Sequence, residues 1–121
     1  MVTQNVPRPS ERSELSDDAI DRLFHALATA TRRDILRRTI EREQSVSALA
    51  ADYDMSFAAV QKHVGVLESA GLIVKRAEGR ERLVRADPAM IARARALLSR
   101  YEDLWRARID RLDALLAEPE D

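Results

Sequence analysis

Cysteine is absent from all 121 residues. Disulfides, thiolate metal sites and thiol redox switches are thereby excluded, and the absence fits a cytoplasmic protein. Glycine occurs three times, too few for a glycine-rich loop that cradles a phosphate. The two histidines, His25 and His63, are not spaced as a metal-binding pair. No apolar run approaches the roughly 20 residues needed to span a bilayer, so no membrane contact is expected. The opening residues, MVTQNVPRPSERSELSDD, lack the apolar segment of a secretory signal. No nucleophile stands beside a base and no carboxylate pair marks a cleft, so nothing points to an enzyme or to a cofactor.

What remains is an ordinary apolar content, with a third of the residues charged and a net charge of −1. That suits one domain with a modest core. Residues 1–15 are polar, contain Pro7 and Pro9, and read as a disordered arm, leaving a domain over 16–121. Ser16 or Asp17 caps a first helix to about Ala28, with Ile20, Leu23, Phe24 and Leu27 on one face. A second helix covers about Thr31 to Glu43. Ser45 or Ser47 caps a short third one, and DMS makes a tight turn. Ser56 caps a fourth helix, 56–70, which Gly71 ends. LIVKR and ERLVRA read as two strands joined through Gly79. Pro88 opens a long last helix to about Ala117. The expected fold is mainly α: a winged helix-turn-helix with a two-stranded hairpin wing over 72–87 and long terminal helices.

At 100° per residue, Val60, Val64 and Leu67 fall on one side of helix 56–70 and anchor it to the core. Ala58, Gln61, Lys62, Gly65 and Ser69 point the opposite way, a face suited to a DNA major groove. Gln61 pairs with adenine, and Lys62 reaches guanine or phosphate. Ser56 offers a helix N-terminus to a phosphate. Phe57 lies on a flank, where it either covers the core or joins Ala58 against a thymine methyl. His63, on the same kind of flank, hydrogen-bonds a phosphate or a neighbouring helix sooner than a metal. Between Gln61 and Arg85 six basic residues face three acidic ones. Arg80 and Arg82 flank the hairpin turn, as in a wing that follows the phosphates or enters the minor groove. Leu72, Val74, Val84 and Ala86 are expected to pack inward.

LFHALATATRRDIL, the segment SVSALAADYDMSFAAVQKHVGVLESAGLIVKRAEGRERLVRAD and the long last helix together resemble the ArsR/SmtB family of winged helix-turn-helix repressors. The resemblance spans about residues 19 to 117. It implies a homodimer on an inverted-repeat operator in the promoter of its own operon. It implies that Ser56, Phe57, Ala58, Gln61, Lys62 and His63 face double-stranded DNA, with Arg80 and Arg82 in the wing. It also implies a dimer interface from the first and last helices, which would include Leu23.

The last helix argues for an interface by itself. Leu98, Tyr101, Trp105, Ile109, Leu112 and Leu116 recur at spacings of three and four, a stripe too long for one small domain to bury. Metal-sensing members of the family use cysteines in the third helix or His and acidic pairs in the last. Here the third helix has no thiol, and the last has Asp103, Asp110 and Asp113 without histidine, so no metal site is expected. A small-molecule or protein effector stays open, as does use of the fold as a protein-contact module.

Overall fold

Each helix among the described residues starts where a side-chain oxygen takes up a free backbone N–H. The computed structural model describes residues 14–117. Helix α1 spans Asp17–Ala26, with Ser16 Oγ accepting from Ala19 N at 3.1 Å. Helix α2 spans Ala30–Glu41, with Thr29 Oγ1 accepting from Arg32 N at 3.2 Å. Helix α3, Val46–Ala51, is capped by Ser45, and helix α4, Phe57–Ser69, by Ser56. Helix α5, Pro88–Ala117, starts with a proline that has no N–H to satisfy, and Asp87 Oδ1 accepts from Ala89 N at 3.0 Å. A cap of this kind contributes about 1 kcal/mol.

Strands β1 (Gln44–Ser45), β2 (Ile73–Glu78) and β3 (Glu81–Ala86) form an antiparallel sheet in the order β1-β3-β2. The hairpin is the expected one, closed by Glu78 opposite Glu81 around Gly79, whose φ of 60° suits a tight turn. The third strand was not expected. It pairs Gln44 with Val84 and Ser45 with Leu83, and runs straight into the cap of α3. Helix α4 ends in a Schellman motif. Gly71 N donates to Glu68 O, Leu72 N donates to Leu67 O, and Gly71 takes a φ of 79°.

That ending sets the strand register. Leu72 is buried as the last residue of the helix cap, and Ile73, also buried, then opens β2 opposite the half-buried Ala86. Val74, expected to point inward, falls on the other face opposite Arg85 and is half-buried. Leu72, Ile73 and Val84 join Ile35, Leu49, Val60, Val64 and Leu67 in the centre of the core. Leu23 and Ala26 of α1 and Met90 and Leu97 of α5 close it.

Residues 1–13 of the expected arm lie outside the described residues. Leu15 already packs against the core. At the other end, every residue of α5 from Leu98 to Ala117 is exposed, a stretch of about 30 Å at 1.5 Å per residue. No helix among the described residues is long and apolar enough to cross a membrane.

Candidate nucleic-acid interface

Helices α3 and α4 pack as a pair across the turn at Asp52–Ser56, and the hairpin follows on the chain side of Gly71. Val60, Val64 and Leu67 are fully buried, which fixes how α4 is rotated. Its outward row is therefore the one the spacing indicates. Ala58, Gln61, Lys62 and Ser69 are exposed, and Gly65 in the same row is half-buried. Phe57 is 48% exposed at the helix start, so it does not serve as core. Ser56 is exposed, with its hydroxyl engaged as the cap.

His63 is set apart from that row. It is half-buried, and its Nδ1 lies 3.2 Å from Arg32 Nη1. Arg32 also donates through Nε to Ala26 O and through Nη2 to His25 O, each at 2.8 Å. A guanidinium only donates, so His63 Nδ1 accepts and the neutral ring carries its proton on Nε2. Burial, followed by the positive charges of Arg32 and Lys62, holds the imidazole below its ordinary pKa. His63 thus meets a neighbouring helix through one nitrogen.

Arg32 is the residue that periodicity missed. It is 7% exposed, and it shares its face of α2 with Ile35 and Thr39, at steps of three and four. A charged side chain at a position on the apolar stripe was the available signal.

The wing sorts its cations into two groups. Lys75 is 3.5 Å from Glu68 of α4. Arg76 makes a two-pronged contact with Glu43, at 2.8 and 3.0 Å, and reaches Glu78. Lys62, Arg80 and Arg82 have no ion-pair partner among the described residues, and all three are exposed. Unpaired charge therefore sits on α4, at the wing tip and, through the exposed Arg85, at the wing base, where Lys75 and Arg76 are neutralised.

The expected interface residues divide similarly. Leu98, Tyr101, Trp105, Ile109 and Leu112 are all exposed on α5, beside Leu104, Leu115 and Leu116. Leu23 does not belong with them. It is 2% exposed and buried in its own chain's core, because α1 turns Leu23 and Ala26 inward and leaves Phe24 half-exposed. Among the described residues no three His, Cys, Asp or Glu side chains gather as a metal cluster.

A helix-turn-helix domain family model matches residues 27–76. The HTH-type transcriptional regulator Rv2034 of Mycobacterium tuberculosis is 38% identical over 81 residues, covering 67% of this chain and 76% of that protein. The crystal structure of an ArsR family transcriptional regulator is 30% identical, with a TM-score of 0.71, covering 77% of this chain and 96% of the other. A homodimeric winged helix-turn-helix DNA-binding domain from Mycobacterium bovis shares the fold at 23% identity and a TM-score of 0.59, over 84% of this chain and 94% of that one. The chain belongs to the ArsR family of winged helix-turn-helix transcriptional regulators.

Proposed function

We propose that the protein is a homodimeric repressor that binds an inverted repeat in its own promoter and responds to a signal other than a metal ion. Helix α4 enters the major groove. Gln61 reads a base edge, Lys62 reaches a guanine edge or a phosphate, Ala58 and Phe57 meet thymine methyls, and the cap at Ser56 approaches a phosphate. Arg80 and Arg82 hold the adjacent backbone through the wing. His63 positions α4 against α2 and leaves at most its Nε2–H for the DNA.

The observation that carries this reading is the placement of unpaired cations. Lys62, Arg80 and Arg82 are exposed on the two elements that the fold aims outward, whereas Lys75 and Arg76 are neutralised. A chain of net charge −1 then presents a locally basic surface to DNA.

Two copies join through α5. The stripe from Leu98 to Leu116 has no cover among the described residues, and the relative from Mycobacterium bovis is a homodimer. Such a dimer sets two α4 helices about 34–36 Å apart, one turn of DNA. The chain has no thiol, and α5 has no imidazole to join Asp103, Asp110 and Asp113, so carboxylates alone would have to hold a metal.

Fluorescence anisotropy of the full chain on duplex DNA from upstream of its own gene, against a scrambled duplex, tests the reading. Tight binding to the first duplex alone, unchanged by chelator, is expected. Equal weak binding to both would favour a protein-contact module instead, and dependence on chelator would restore a metal signal.

A further inference from the structure

Between α1 and α4 lies an open cleft of about 390 Å³, lined by Arg22, His25, Lys62, Gly65, Val66 and Ser69. Two cationic side chains and an imidazole thus come from two helices to one concave surface. No carboxylate is among its walls as the described residues form them. Asp18 and Asp21 also belong to α1 and do not line it. Arg22 and Lys62 have no ion-pair partner among the described residues, and both are exposed.

Gly65 adds a second observation. A Cβ built at this position would meet nothing within 4 Å, so packing does not require glycine there. A glycine inside a helix lowers helix stability relative to alanine. Its effect here is to leave the floor of the cleft as bare backbone, which lets a ligand come close to α4.

The cleft also has a defined place beside the wing. Glu68, on one flank of α4, contacts Lys75 of β2. Val66, on the other flank, belongs to the cleft facing α1. Helix α4 is therefore bordered by the wing on one side and by Arg22 and His25 on the other.

We propose that this cleft is a phosphate site. Arg22, His25 and Lys62 converge as donors on one oxyanion above Gly65. Resting on the reading of α4 as the groove-entering helix, a backbone phosphate of the bound DNA is the source that this placement favours. A free phosphate-bearing molecule would use the same donors, and there it would compete with DNA for Lys62. The rest of the wall, Val66, Ser69 and the Gly65 backbone, carries no charge, which leaves the charge of the ligand to these three side chains.

The test uses the full chain and its Arg22→Gln and Arg22→Lys variants. The first readout is the slope of log affinity against log salt on a duplex. The second is the shift of the Lys62, Gly65 and Ser69 amide signals on adding inorganic phosphate without DNA. If DNA fills the cleft, Arg22→Gln lowers the slope by about 0.9 for each phosphate that Arg22 neutralises. It weakens operator and scrambled duplexes by the same factor, and Arg22→Lys restores most of the affinity. If a free phosphate fills it, the amide shifts saturate in the wild type and vanish in Arg22→Gln, with the slope unchanged. No change in either readout overturns the site. In that case a wild type that still prefers the operator keeps the proposed function intact, whereas loss of that preference as well would retire both.

Discussion

Arg32 Nη1 stands 3.2 Å from His63 Nδ1, joining α2 to α4 across the core edge. The same guanidinium holds the carbonyls of His25 and Ala26 at the end of α1. One buried side chain therefore sets the spacing of three helices, including the helix that carries Gln61 and Lys62. Replacing it disturbs the fold first and any DNA contact second.

Arg32→Met keeps much of the volume and removes all three contacts. It leaves the Ala26 carbonyl without its side-chain donor in a buried place. Hydrogen bonds to a charged group contribute roughly 1.5–3 kcal/mol each, and a stranded buried acceptor adds to the loss. The expected destabilisation is roughly 2–4 kcal/mol, read from urea unfolding at fixed protein concentration. A variant as stable as the wild type would show that the contact is incidental.

Acidification provides a gentler probe of the same contact. In the unfolded chain His63 regains its ordinary pKa of 6.5, and in the fold its protonation is held to lower pH. As pH falls through 6.5, the unfolded chain takes up a proton that the folded one resists. Stability is full above that pH and falls as the solution is acidified towards the depressed folded value. Asp34, whose carboxyl is lowered by the Tyr53 hydroxyl and then by Arg37, adds its loss only at more acid pH. Glu43, lowered by Arg76, does the same. Unfolding midpoints measured between about pH 7 and 5.5 should drop in the wild type and drop less in His63→Asn. Equal slopes would mean that His63 is not shielded.

Two glycine replacements should move stability in opposite directions. Gly71 has a φ of 79°, and an added Cβ would sit 3.6 Å from Met90 Cγ, an ordinary contact. Gly71→Ala therefore strains the backbone and not the packing, for a loss of about 1–2 kcal/mol. Gly65 is helical with open space around it, so Gly65→Ala should gain about 0.5–1 kcal/mol. Thermal melts of both variants check the pair. A loss at Gly65 would mean that its environment is closed.

The apolar stripe of α5 predicts an assembly defect. Trp105 is 61% exposed in one chain. An aromatic ring of that size removes about 150–250 Å² from water, on the order of what dominates an interface. Trp105→Glu should shift the protein to monomer by at least about tenfold in dissociation constant, as sedimentation equilibrium would show. An unchanged oligomeric state would place the interface elsewhere.

The sequence made the helix starts legible because the capping hydroxyls of Ser16, Ser45 and Ser56 are local signals. The rotation of α4 was legible for a related reason, since Val60, Val64 and Leu67 repeat at the helical period. Strand β1 was not, because two residues are too few to alternate and only pairing with β3 makes them a strand. The inward side of α1 was legible except at Phe24, since Leu23 is buried and Ile20 and Leu27 pack against the core. Phe24 stands at the edge of the face that Ile20, Leu23 and Leu27 share, and packing alone decided that it lies half outside. Charge was the least legible feature. Arg76 looked like part of the basic wing, yet its partner Glu43 lies 33 residues earlier. Arg32 stands on the apolar stripe of α2, but its partners come from α1 and α4 and no local spacing names them.

The central claim is that the outward row of α4 reads sequence, and Gln61→Ala tests it most directly. Affinities of wild type and variant would be measured on an operator duplex and on a scrambled duplex at one salt concentration. The account predicts that Gln61→Ala loses roughly 1–3 kcal/mol on the operator and almost nothing on the scrambled duplex, while Arg80→Ala weakens both alike. An operator preference that survives Gln61→Ala unchanged would contradict it.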